Sequence, residues 1–365
     1  MTNQSIRRAA LLAASVGLAA CDVVAFATDP KPIFEQTWNL PATSSSISVA
    51  ELLPNNVSIY STPGSNPPDS SAFMLSLNAV NFSQTLGTAC SSCQALNGTN
   101  AVKPAFVLNA GSSATLPTNV VSSAILGATV SYSVTNNFSF DPIRVRAAGD
   151  PTQGILVVVI RSGSIVLGVD TVKGTALTFA SGTTLARSIA VSTANVSGAI
   201  SVDLIVDSPQ GDHNEFINTT GSLQTSAAIT NLRAGNVVIN VPTKSIAPPP
   251  EDLDFGDLGS NVQSATLEMT VRNPWSVTGT VTLNFAAQGL TVTKPVTIPA
   301  GSAAAAPQVR TVTLDRTDLN KLEKQSVQLA LTGTMSAAAP LTVTPRQTIT
   351  IDNRIIFTVQ TSGGK

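Results

Sequence analysis

Ala128–Phe140 (ATVSYSVTNNFSF) aligns without gaps with a second segment of the chain, Ala265–Val277 (ATLEMTVRNPWSV), 137 positions later. In both copies apolar residues alternate with polar ones, and each copy then reaches an asparagine that is followed two residues later by an aromatic side chain. An alternation with a period of two places successive side chains on opposite faces of a β-strand, so one face of each strand is expected to point into a core. The repeat predicts two copies of one structural unit.

A second match extends both copies. Arg187–Val191 aligns with Arg310–Leu314, 123 positions later, which indicates that a connecting loop differs in length. Beyond these strands the sequence predicts short helical turns, a further strand, and then a closing pair of strands in each copy. The predicted elements are turns at Thr193–Val196 and Thr317–Leu322, strands at Ile200–Val206 and Val327–Leu331, and closing pairs at Ala227–Leu232 with Val237–Val241 and at Thr348–Ile351 with Ile355–Val359.

The chain is therefore predicted to be all-β, with two modules in tandem. Ala247–Asp252 is proline-rich and predicts a stiff linker between a first module, residues 47–246, and a second, residues 251–362. About seven short strands with turn signals between them resemble the immunoglobulin-like β-sandwich, in architecture alone, since the Cys…Trp…Cys spacing and the tyrosine corner of antibody domains are missing. Phe138 and Trp275 occupy the same position of the repeat, which favours core packing over a sugar-binding platform.

The N-terminal segment has the order of an export signal. Arg7 and Arg8 precede a mostly apolar run, Ala9–Ala20, which is too short to cross a bilayer. The following Leu18-Ala19-Ala20-Cys21 resembles the lipobox of bacterial lipoproteins. That resemblance implies removal of residues 1–20 and lipid attachment to Cys21, and residues 21–46 are then predicted to be a tether. An ordinary secretory signal and a twin-arginine signal are the alternatives.

Composition limits the partners of the mature chain. Loss of residues 1–20 removes two arginines and no acidic residue, leaving 18 basic and 21 acidic side chains. Only 11% of the chain is charged and it contains no basic block, so nucleic-acid binding is not expected. After the signal no apolar run is long enough to span a membrane, so the lipid would be the sole anchor.

Cys90 and Cys93 are the two cysteines that remain after lipidation of Cys21. In an oxidising envelope their spacing favours a small structural disulfide within a loop. A redox-active pair has the same spacing but usually begins a helix in a βαβ unit, and a free pair is the third possibility. Zinc is disfavoured because two thiols and a single histidine provide too few ligands.

Candidate catalytic and metal-binding residues are few. His213 is the one histidine and lies in a Gly/Asp/Asn-rich stretch typical of a solvated turn. No nucleophile elbow or phosphate-binding glycine loop is present, so neither an enzyme nor a cofactor is expected. Two acidic stretches are weak calcium candidates, because calcium requires six to eight oxygen ligands. They are Asp207, Asp212 and Glu215, and Glu251 with Asp252, Asp254 and Asp257.

These observations predict a lipid-anchored protein of the bacterial cell envelope, facing the periplasm or the exterior. Its expected role is non-catalytic, as a structural or protein-interaction module, with an envelope protein as the partner. A surface lipoprotein that binds a glycan or polymer is the main alternative, and an envelope hydrolase dependent on His213 is a weaker one.

Overall fold

The computed structural model describes residues 38–39, 43–62, 71–144, 146, 152–259 and 261–359. Over these residues the fold is all-β, as predicted, with three short α-helices and one 3-10 helix at Val49–Glu51. The first twelve strands are β1 Trp38–Asn39, β2 Thr43–Ser48, β3 Val57–Ile59, β4 Phe73–Leu75, β5 Val80–Thr85, β6 Asn100–Val102, β7 Phe106–Thr115, β8 Val120–Asn136, β9 Ile155–Ser162, β10 Ile165–Lys173, β11 Thr184–Val191 and β12 Ala194–Ser197.

The second half of the chain is equally rich in strands. The helices are α1 Leu86–Ala89, α2 Ser91–Gln94 and α3 Arg316–Leu322. The remaining strands are β13 Ala199–Ser208, β14 Asn214–Phe216, β15 Ser222–Ile239, β16 Lys244–Ile246, β17 Glu251–Asp254, β18 Val262–Arg272, β19 Thr278–Ala287, β20 Leu290–Ile298, β21 Gln308–Asp315, β22 Ser326–Ser336, β23 Leu341–Val343 and β24 Thr348–Val359.

The strands of the described residues form two pairs of larger antiparallel sheets and one small ribbon. In the first pair, an eight-stranded sheet of order β11-β8-β15-β4-β3, with β5, β12 and β23 attached, accompanies a four-stranded sheet of order β10-β9-β13-β7. In the second pair, β1-β24-β18-β21 with β2 accompanies β16-β22-β19-β20 with β17. The ribbon is β14-β6.

The internal repeat is confirmed by the strand register. Ser131 of β8 lies opposite Ser188 of β11, and Glu268 of β18 lies opposite Thr311 of β21. These two pairs are related by the same shifts of 137 and 123 positions that align the sequences. β8 and β11 therefore correspond to β18 and β21, and β15 corresponds to β24, which is the other neighbour of the central strand.

Burial alternates along the strands, as the period of two predicts. In β13 the inward side chains Ile200, Val202, Leu204 and Val206 are at most 1% exposed, and they belong to a core that continues through both sheet pairs. Phe138 and Trp275 are buried too, as their repeated position predicts. Burial of each large apolar side chain contributes about 1.5–3 kcal/mol, which makes this core the main source of stability.

The predicted closing pairs of strands are wrong, because each is one continuous strand. β15 runs through Arg233–Asn236, where the register with β8 shifts, and Asn231 has a φ of 53°. These residues form a bulge rather than a turn, which lets the strand continue. β24 likewise runs through residues 352–354, because β18 and β2 pair with it there.

Of the two predicted helical turns, one is corrected and one is confirmed. The turn at Thr193–Val196 contributes to strand β12, because residues 194–197 pair with β8 beyond the end of β11. The corresponding prediction in the second copy is confirmed as helix α3, where the Asp315 side chain accepts a hydrogen bond from the Asp318 amide at 2.9 Å. Asp315 therefore caps the helix.

Three strands pair outside the predicted ranges. Thr43–Ser46, placed in the tether, belong to β2, which pairs with β24. β16 lies in the predicted first module but pairs with β22, and β23 lies in the predicted second module but pairs with β15. Strand partners depend on backbone groups distant in sequence, so hydrophobic pattern alone does not identify them.

Candidate functional site

Cys21 and the predicted signal lie outside the described residues. Cys90 and Cys93 are linked by a disulfide and are almost fully buried. Their surroundings are not a simple loop as predicted, because helix α1 ends and helix α2 begins at Cys90. The Cys90 sulfur accepts a hydrogen bond from the Cys93 amide at 3.1 Å, which helps to form this single helical turn. With both sulfurs bonded and buried, the pair stabilises local structure.

The acidic residues proposed for calcium point to different partners. Asp252 accepts a hydrogen bond from Gln328, Asp254 accepts one from the Gly256 amide at 2.9 Å, and Asp257 forms an ion pair with Lys324 at 3.3 Å. Among the residues that the structure describes, no group of three or more His, Cys, Asp or Glu side chains is placed to hold a metal ion. The structure therefore gives no support to calcium at these positions.

A cluster of charged and polar side chains lies where three segments meet: the one between β6 and β7, the one after β8 and the one after β13. We call it the Lys103 cluster, and it comprises Lys103, Asp141, Arg144, Asp212, His213 and Glu215, which line one small cavity. The sequence singled out His213, Asp212 and Glu215. It missed Lys103, Asp141 and Arg144, which lie about 70 to 110 residues earlier in the chain.

Lys103 is the most unusual member of the cluster. It is 4% exposed, and its Nζ donates hydrogen bonds to Ser208 Oγ at 2.6 Å and to the Pro209 carbonyl. The ammonium also lies 5.6 Å from the ring centres of Phe106 and Phe140, a favourable cation–π distance. Burial lowers the pKa of Lys103 to about 8, although the nearby charges of Glu215 and Asp141 act in the opposite direction.

His213 has a partner on each ring nitrogen. Arg144 is always a donor, so Nε2 accepts its hydrogen bond at 2.9 Å, and Nδ1 then donates to Asp212 at 2.6 Å. The hydrogen bond from His213 lowers the pKa of the Asp212 carboxyl. This arrangement orients the ring and leaves neither nitrogen free to accept a proton from a substrate.

Glu215 and Asp141 complete the cluster. Burial raises the pKa of Glu215, and its Oε2 is buried with no hydrogen-bond partner among the described residues. Its other oxygen lies 3.4 Å from His213 Nε2. Asp141 is buried and accepts hydrogen bonds from the amides of Ile143 and Phe179 at 2.9 and 2.8 Å. These contacts join two segments that are distant in sequence.

Lys103 and His213 are both held by hydrogen bonds within the protein. A catalytic lysine or histidine needs access to a reacting atom, but Lys103 is enclosed by its partners and His213 is held on both sides. The sequence contains one signal that could have identified Lys103 as a candidate. It is one of few charged residues in the chain, and the apolar start of strand β7 follows it closely. The contact between Lys103 and Ser208 could not have been predicted from the sequence. The two residues are 105 positions apart and meet only because β7 pairs with β13.

Among the described residues, no helix has the length and apolar character needed to span a membrane. No protein-family model and no curated protein matches the chain.

Solved structures are similar to the chain over most of its length, but with low TM-scores. The chain resembles a protein inferred to be secreted from Parabacteroides distasonis ATCC 8503, with 11% identity, coverage of 90% of this chain and 100% of that chain, and a TM-score of 0.28. It also resembles PNGase F, a glycosylasparaginase from Flavobacterium meningosepticum, with 11% identity, coverage of 78% and 97%, and a TM-score of 0.18. At these scores the similarities carry no argument about function.

Proposed function

We propose that this protein is an exported, lipid-anchored component of a bacterial cell envelope that acts without catalysis, as a structural or protein-interaction module. In this proposal residues 1–20 are removed and Cys21 carries the lipid. The body consists of two immunoglobulin-like β-sandwiches that present their outer surfaces in the envelope.

The pairing of the N-terminal strand with the C-terminal strand carries the proposal. β2 pairs with β24 over six residues, Thr43–Ser48 against Thr348–Asn353, and β1 extends the same edge. A lipid at Cys21 would thus lie only 17 residues before a strand that is hydrogen-bonded into the body. A chain of that length spans at most about 60 Å, so the body would stay close to the membrane surface.

Two further observations support the proposal. The buried Cys90–Cys93 disulfide fits an oxidising compartment outside the cytoplasm. In the Lys103 cluster, Lys103 is enclosed and both ring nitrogens of His213 have hydrogen-bond partners, which favours a non-catalytic role over a hydrolase dependent on His213.

The anchor is tested by fractionation of cells that express the full chain. We expect the parent protein to stay with membranes in high salt and alkaline carbonate and to be released by detergent. Cys21→Ser should appear in the soluble fraction because it lacks the thiol that accepts lipid, whereas the neighbouring control Asp22→Ser should remain with membranes. Membrane retention of Cys21→Ser equal to that of the parent would overturn the proposed anchor.

A further inference from the structure

The outer face of the eight-stranded sheet has an unusual composition. One part of this sheet has only Ser, Thr, Asn, Gln and Ala side chains at its outward positions, and none of these is charged. It covers Asn81–Thr85 of β5, Ser222–Thr230 of β15, Thr129–Thr135 of β8 and Thr184–Ala190 of β11. Beyond it, β15 continues to the exposed Arg233. We call this area the hydroxyl face. Two of its rows run across three strands, Asn81 opposite Ser226 opposite Ser133, and Ser83 opposite Gln224 opposite Thr135. The four side chains on β5 and β15 in these rows are exposed.

In the second copy of the repeat, the corresponding sheet face carries charged side chains that form ion pairs. Ser131 and Thr135 of β8 correspond to Glu268 and Arg272 of β18. Glu268 forms an ion pair with Arg354 of β24 at 2.9 Å, and Arg272 approaches Asp352 to 4.0 Å. In the first copy the position across from Ser131 is Ala228. The fold therefore accepts charges at these positions, and their absence is a property of the hydroxyl face.

Two open depressions lie along β8, one on the hydroxyl face and one at its end. The six side chains of the two rows line an open depression, and a second depression lies further along β8 at Gly127–Thr129. Ser133 and Thr129 are about 14 Å apart along the strand, from a rise of about 3.4 Å per residue. The second depression is bounded by Tyr60, whose ring lies 5.5 Å from the Arg233 guanidinium.

We propose that the hydroxyl face binds a neutral polysaccharide chain that lies along β8 and β15. Hydroxyl and amide side chains can donate and accept hydrogen bonds from sugar hydroxyls without an ionic partner. The two depressions follow one another along β8, as successive units of a polymer would, and Tyr60 supplies a partly apolar ring at one end.

Other occupants fit this chemistry less well. A nucleic acid or an anionic polysaccharide would require cations, which the two rows of the face do not provide. The centre of a protein interface is usually rich in aromatic and large apolar side chains, whereas the outward positions here are small and polar. The inference names a partner class for the proposed non-catalytic role, and it does not depend on the lipid anchor.

The test uses the full chain with Cys21→Ser, so that binding is measured in solution. The parent is run in native gels that contain a neutral mixed-linkage β-glucan, dextran or galactomannan, with polygalacturonate as the anionic comparison. The key variant, Ser131→Glu with Ala228→Arg, transfers the Glu268–Arg354 ion pair of the second copy to the hydroxyl face, where the same strand arrangement accommodates it. Ser226→Lys is a second variant, and Ser113→Glu, exposed on β7 of the other sheet, is the control.

We expect at least one neutral polysaccharide to slow the parent and polygalacturonate to leave it unaffected. The Ser131→Glu/Ala228→Arg and Ser226→Lys variants should bind about tenfold more weakly, while Ser113→Glu stays within about twofold of the parent. Circular dichroism and the melting temperature of each variant verify folding.

Three results would overturn the inference. They are no retardation by any neutral polysaccharide, unchanged binding by both face variants when folded, and a parent dimer that these variants dissociate, which would make the face a protein interface. None of these results would alter the membrane fractionation, so failure of the glycan site can be distinguished from failure of the proposed anchor.

Discussion

Asn136 and Asn273 show at the level of single residues why the repeat folds twice. Asn136 Nδ2 donates to the carbonyls of Phe140 and Phe179 at 2.9 and 2.7 Å, and its Oδ1 accepts from the Phe138 amide at 2.9 Å. Asn273 makes the same three kinds of contact, to Val277, Pro299 and Trp275. Each buried asparagine thus ties the end of a central strand to a loop distant in sequence.

Replacement of Asn136 should therefore be costly. Asn136→Ala removes three buried hydrogen bonds of about 1 kcal/mol each and leaves backbone groups unpaired, so we expect the free energy of unfolding to fall by about 3 kcal/mol. The matched control is Asn137→Ala, at an exposed neighbour, which should change it by about 0.5 kcal/mol or less. Urea denaturation of both variants measures the difference, and equal effects would contradict the structural role of Asn136.

Lys103 gives a prediction for pH dependence. Its pKa is about 8 in the folded protein and 10.5 in the unfolded chain, so between these values the unfolded state retains a proton that the folded state has released. The contribution of Lys103 to the free energy of unfolding therefore rises as the pH increases from about 8 to about 10.5, by about 3 kcal/mol over the whole range. The raised pKa of Tyr132, caused first by burial and then by its hydrogen bond to Asp170, acts in the opposite sense above about pH 10.

The measurement is the free energy of unfolding between pH 8 and pH 10. The parent should become more stable across this range, and Lys103→Met should lose that rise, because methionine fills similar space and does not titrate. Lys173→Met, at an exposed position of β10, serves as the control and should keep the rise. A flat profile in the parent would show that Lys103 is not desolvated as the structure has it.

Among the elements, strand β2 departs most from what its sequence predicts. Its residues TSSSIS contain a single large apolar side chain, Ile47, which is fully buried. Ser45 also donates a hydrogen bond to Glu251 Oε1, in the segment that links the two copies of the repeat. The strand exists because β24 supplies a backbone partner, and no pattern within β2 itself could identify that partner.

Ile47→Ala tests whether β2 is part of the core. We expect a loss of about 2–5 kcal/mol, the usual cost of truncating a large buried aliphatic side chain. Ser46→Ala, at the adjacent exposed position, should have little effect. Hydrogen exchange provides a second measurement, since the amides that pair with β24 should be protected in the parent. A loss below about 0.5 kcal/mol would contradict the placement of Ile47 and β2 in the core.

The sequence predicted the fold class and the repeat well, because alternation reports which face of a strand is buried. It failed where neighbours decide the outcome. Arg233–Asn236 has the composition of a turn, yet β8 and β4 hold it in a continuous strand. Of the Lys103 cluster, the sequence identified only Asp212, His213 and Glu215. Lys103 was missed because the pairing of β7 with β13 brings it close to them. The hydroxyl face could not be predicted from the sequence, because the register of β5, β15 and β8 decides which side chains lie side by side.

For the whole molecule, the crossing strands predict a single unfolding transition. β2 and β16 join sheets with strands from the C-terminal part of the chain, and β23 extends the sheet that contains β15. Loss of either sheet pair therefore removes hydrogen-bond partners from the other. Calorimetry should give one peak whose calorimetric and van't Hoff enthalpies agree. Two separated peaks would support the independent tandem modules that the proline-rich linker predicts.

The most direct test of the central claim is the mass of the N-terminal peptide of the mature protein, isolated from native membranes. The proposal predicts a peptide that begins at Cys21 and carries acyl chains on that residue. An unmodified peptide that begins at another residue would contradict lipid anchoring and leave a secreted all-β protein.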